Sequence, residues 1–94
     1  MDFDWRSIPF NLDRSLTLQA IEESFEDPFA IRLLPDSPRF AVQARFFNLG
    51  VSAGGQGVFT VFRTNGKQTQ VIFARPFEKD EEFFYQRKLN HALA

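Results

Sequence analysis

The sequence has no cysteine and a single histidine, His91, among its 94 residues. A disulfide framework, a thiolate nucleophile and a cysteine-ligated metal are thereby excluded, and a histidine-based metal site loses its usual ligands. Charge of one sign is also missing, since 11 Lys+Arg against 12 Asp+Glu leave a formal net charge of −1. No global basic field draws the chain onto nucleic acid, so any such contact has to come from a local patch. No apolar run approaches the roughly 18 residues of a transmembrane helix. The opening Met1-Asp2-Phe3-Asp4-Trp5 is acidic where a secretory signal would be basic and then apolar. A cytoplasmic protein without a membrane contact is expected. What the chain has in excess is phenylalanine, 13 residues beside one tyrosine. Phenylalanine gives aromatic area with no polar handle, which builds either a core or an exposed patch that a partner covers. With 44% hydrophobic residues in this length there is material for one core, and a single domain over 1–94 is expected.

Periodicity divides the chain into short elements. Phe3, Trp5, Ile8, Phe10 and Leu12 around Pro9 suggest a short strand and an apolar connector. From Leu16 to Phe25, apolar residues at Leu18, Ile21 and Phe25 recur at helical spacing, with Thr17 placed to cap the start and Pro28 to stop continuation. Phe29–Leu34 is an apolar run between prolines and reads as a strand, followed by a loop at Pro35–Pro38. A further strand is expected over Phe40–Val51, with a turn at Ser52–Gly57. Val58–Arg63 and Gln68–Ala74 flank Asn65-Gly66, a strong hairpin signal, and Pro76 is expected to interrupt the second strand. Phe77–Leu93, acidic at 78 and 80–82 and basic at 87 and 88, suits a closing helix. The expected fold is α+β, a four-stranded antiparallel meander packed with helices.

The chemistry-bearing residues are few. The Gly54-Gly55-Gln56-Gly57 loop opens no helix, which leaves it a turn and not a phosphate cradle. Asp80, Glu81 and Glu82 are a carboxylate cluster for acid–base work or a metal, or else compensation of the helix dipole. Arg45, Arg63 and Arg75 fall on three successive expected strands. On one face they would form a cationic site able to grip phosphate; alternatively they pair with carboxylates such as Glu81 or Glu82.

The order Arg45-Phe-Phe-Asn-Leu-Gly50, Val58-Phe-Thr-Val-Phe62, Asn65-Gly66 and Val71-Ile-Phe-Ala-Arg75 is followed by Glu81 and Tyr85, six and ten residues beyond that arginine. With Phe25-Glu-Asp-Pro28 and Phe3-Asp-Trp5, this resembles the BrnT toxins of bacterial type II toxin–antitoxin systems, which share the RelE-like ribonuclease fold. The resemblance implies a metal-independent ribonuclease with no cofactor. Arg45, Arg63 and Arg75 would hold the scissile phosphate, and Glu81 or Tyr85 would position or deprotonate the 2′-hydroxyl. The implied partner is a BrnA-like ribbon-helix-helix antitoxin, through which any DNA contact would be made. Where family members carry Lys-His-Gly this chain has Asn11-Leu-Asp-Arg-Ser15, and it has Gln68 and Gln70 where arginines are common. A second expectation is therefore a non-catalytic relative whose apolar surface docks a small helical protein or another copy of itself.

Overall fold

The computed structural model describes residues 2–6, 8–9, 12–33 and 45–93. In chain order the elements are β1 (Asp2–Phe3), α1 (Leu18–Glu26), β2 (Ile31–Leu33), β3 (Phe46–Val51), β4 (Gly57–Thr64), β5 (Gln68–Pro76) and α2 (Lys79–Leu93). Of the expected segments, Leu34, the loop Pro35–Pro38, residues 40–44, Phe10 and Asn11 lie outside the described residues.

Local chemistry accounts for the element ends. Thr17 is extended, with φ −93° and ψ 157°, and its hydroxyl accepts the Ala20 N–H at 3.0 Å, satisfying a free donor of the first turn of α1. In the β4–β5 hairpin the Asn65 side chain accepts the N–H groups of Lys67 and Gln68, both at 2.8 Å. Gly66 supplies the φ of +89° that the turn requires. Pro76 does not interrupt β5 but ends it, opposite Val58, a place where a missing donor costs little.

The sheet differs from the expected four-stranded antiparallel meander. It has five strands in the order β1-β5-β4-β3-β2, and β1 joins it parallel to β5, with Asp2 opposite Gln68 and Phe3 opposite Thr69. The Asp4 N–H extends this pairing to the Thr69 carbonyl at 2.8 Å. A parallel pair needs a crossover and has no tight turn, so nothing local to two residues announces it. The remaining strands, β2 to β5, pair antiparallel with their chain neighbours.

Alternation sorts the strands into two faces. Phe46, Asn48 and Gly50 of β3 share a face with Val58, Thr60 and Phe62 of β4 and with Thr69, Val71 and Ala74 of β5. Helix α1 covers this face, burying Ile21 and Phe25 against Val58, Phe62, Val71 and Ala74. An aromatic chain runs through it: Phe3 meets Phe25 edge-on at 5.1 Å, and Phe25 meets Phe62 at 4.9 Å. The contact with β3 is backbone-close. A Cβ on Gly50 would lie 1.9 Å from the Ser24 carbonyl oxygen, which also accepts the Asn48 amide at 3.3 Å. The opposite face carries Phe47, Leu49 and Val51, then Phe59, Val61 and Arg63, then Gln70, Phe73 and Arg75.

Candidate functional site

Arg75, Glu81 and Tyr85 come together where the end of β5 passes into α2. Arg75 leaves the sheet opposite Phe59, and its guanidinium lies over that ring, 4.5 Å from the centroid. Both terminal nitrogens are used by Glu81, Nη1 to Oε1 at 2.7 Å and Nη2 to Oε2 at 2.6 Å, a two-pronged fork. Nη1 also donates to the Pro76 carbonyl at 3.2 Å and lies 3.9 Å from Glu78. Glu81 accepts in addition the Glu78 N–H at 2.8 Å, so one carboxylate both ends the arginine's search for a partner and closes the first turn of the helix.

One turn on, Tyr85 is the residue by which α2 is buried, 7% exposed. Its hydroxyl donates to Oδ2 of Asp27 at 2.5 Å. Asp27 follows α1 and holds three elements at once, since it also accepts the Val51 N–H through Oδ2 and the Phe29 N–H through Oδ1, both at 2.9 Å. Phe77 completes the join. Its ring fills the space above Gly57, where a Cβ would lie 2.2 Å away, and packs 5.6 Å from the ring of Tyr85. Asp27, Phe59 and Phe77 were not singled out from the sequence as site residues. The signal for Asp27 was present in Asp27-Pro28, a pair that favours a turn closed by the aspartate side chain.

The electrostatics follow from these contacts. Partial burial alone would raise the Glu81 carboxyl, but the hydrogen bonds from Arg75 and from the Glu78 N–H, with the arginine's charge, outweigh it and hold it below the ordinary glutamate range. Burial raises the Tyr85 phenol well above its ordinary value, and the hydrogen bond to Asp27 with that residue's negative charge raises it further. Neither group is a poised base: the carboxylate is occupied by arginine and the phenol keeps its proton.

The other two arginines lie elsewhere. Arg63 shares the face of Arg75 but stands four residues along β4 from Phe59, about 13 Å at the rise of a strand. It is exposed and makes no ion pair with a described residue. Arg45 precedes β3 and is next to Phe46, which pairs with Phe62, so it lies at the Arg63 end of the sheet. Its Nε is buried without a hydrogen-bond partner among the described residues. The structure therefore joins Arg75 to Glu81, sets Tyr85 one helical turn further on against Asp27 and Phe77, and leaves Arg45 and Arg63 at the far end. Two clefts flank Tyr85: one of about 450 Å³ against Gly57, Phe77 and Leu89, the other of about 420 Å³ beside Glu23, Glu26 and Asp27. Among the described residues no three His, Cys, Asp or Glu side chains are grouped to hold a metal ion. No family model, no curated protein and no solved structure matches the chain.

Proposed function

We propose that the chain is a BrnT-like domain that works as a protein-binding module, with the arginine, glutamate and tyrosine of the family pattern holding α2 to the sheet. The observation that carries this reading is the state of Arg75: both terminal nitrogens are forked onto Glu81 and its flat face is stacked on Phe59. To grip a phosphate it would have to leave a charge-assisted pair that is itself partly buried, at 25% and 18% side-chain exposure. Binding surface is supplied by α2, where Phe83 is 71% and Phe84 38% exposed. The partner class that accompanies the resemblance is a ribbon-helix-helix antitoxin, met in the cytoplasm, with DNA contact left to that partner.

Purified chain incubated with single-stranded RNA is expected to yield no cyclic-phosphate ends. Arg75→Ala is expected to lower stability by about 1–3 kcal/mol, as loss of a charged hydrogen-bond pair does. RNA cleavage that Arg75→Ala abolishes would overturn the reading. A ribonuclease remains the second reading because Arg63 makes no ion pair among the described residues and shares its end of the sheet with Arg45. Cleavage that survives Arg75→Ala and disappears in Arg63→Ala would establish it.

A further inference from the structure

Helix α2 is fifteen residues long, yet the residue it buries is Tyr85. The i, i+4, i+8 stripe Glu81, Tyr85, Leu89 faces the sheet end, and the opposite side is left to solvent. At 100° per residue, Lys79, Asp80, Phe83, Phe84, Arg87 and His91 are among the residues within about 100° of that outer side. Lys88 lies at its border, its ammonium 5.8 Å from the Phe84 ring centroid. Two exposed phenylalanines in the middle of a helix are unusual on a surface that stays in water. Charge is distributed about them in a particular way. Asp80 is on the N-terminal side and Arg87 on the C-terminal side, each about 5 Å along the axis from the midpoint between Phe83 and Phe84. Neither makes an ion pair among the described residues.

Such a face is complementary to itself when reversed. Resting on the protein-binding reading above, we infer that the occupant of this face is a second copy of the chain, with the two α2 helices antiparallel about a twofold axis. The Phe83–Phe84 pair of one copy then packs on that of the other, and Asp80 of each meets Arg87 of its partner, the reciprocal arrangement an isologous interface requires. Parallel alignment would set Asp80 on Asp80 and Arg87 on Arg87, so charge selects the antiparallel form. The surface is one helix wide, below the size of tight interfaces, and the dimer is expected to dissociate at micromolar concentrations.

Sedimentation over a concentration series tests this. A monomer–dimer equilibrium is expected, weakened about tenfold or more by Asp80→Arg or Arg87→Asp alone and restored in the double exchange. Thermal unfolding of each variant confirms that the fold is intact; these positions are exposed, so only the small loss from placing a cation at the N-terminus of α2 in Asp80→Arg is expected. Phe83→Ser is a second probe and should leave monomer. A chain that stays monomeric to millimolar concentration, or a dimer that ignores both charge exchanges, overturns the inference. If that monomer copurifies as a hetero-complex with the product of a flanking reading frame, the second copy is excluded while the protein-binding reading stands; if it does neither, both fall.

Discussion

Tyr85 is the chain's single tyrosine, so its ionisation can be followed by phenolate absorbance without interference from another phenol. In the folded protein burial and the hydrogen bond to Asp27 favour the neutral form, which raises the pKa relative to the unfolded chain. The contribution of this group to stability is fully present below the ordinary tyrosine range, near 10, and is lost as pH rises beyond it toward the raised folded value. Native protein is expected to show no phenolate signal at a pH of about 10, where urea-unfolded protein is half titrated. Ordinary titration in the native state would mean that the phenol is neither buried nor bonded to Asp27. Of the two offsets from Arg75, the one of six residues leads to Glu81, the carboxylate that the arginine pairs with, whereas Tyr85, ten residues on, turns its hydroxyl to Asp27. What spacing could not convey was direction: a guanidinium beside a carboxylate of suitable reach satisfies itself before it serves a ligand, and that outcome is decided by side-chain geometry.

At the scale of elements, α1 and β3 are held at a separation that only glycine allows. The Ser24 carbonyl already occupies the place of a Gly50 Cβ, and it is backbone, so it cannot swing away as a flexible side chain would. Gly50→Ala is therefore expected to cost about 3 kcal/mol or more, because the helix must lift from Asn48 and from the core under Ile21 and Phe25. Denaturant unfolding measures it; a change of under about 1 kcal/mol would show that helix and strand are not in contact there. Gly54→Ala, with nothing nearer than the Ser52 hydroxyl at 3.9 Å, serves as the control. The elements themselves were legible where chemistry is local. The Thr17 cap, the 3–4 spacing of Leu18, Ile21 and Phe25, and the Asn65-Gly66 turn each specify a conformation within a few residues. Gly50 could not be read that way, since it looks like a strand breaker until the helix laid across it is known.

For the whole molecule, the parallel pairing of β1 with β5 ties the N-terminal segment to the last strand in the chain. Two residues of strand would fray if hydrogen bonding alone held them. The side chains prevent that. Phe3 stands between the Trp5 ring, stacked at 5.7 Å, and Phe25, so the N-terminal segment is continuous with the aromatic chain that reaches Phe62. Trp5 donates its indole N–H to Glu22 of α1 at 3.0 Å, a second attachment to the helix over the core. Trp5 is the only tryptophan, and its fluorescence is therefore a reporter of this attachment alone. Because releasing it would expose Phe25, the segment should not open before the core does, and fluorescence and far-ultraviolet circular dichroism are expected to give coincident urea transitions. Phe3→Ala removes the link between the segment and Phe25, and should move the fluorescence transition to lower urea than the loss of secondary structure. Coincidence in the variant, or an early fluorescence change in the original chain, would show that β1 is an attachment the core does not need.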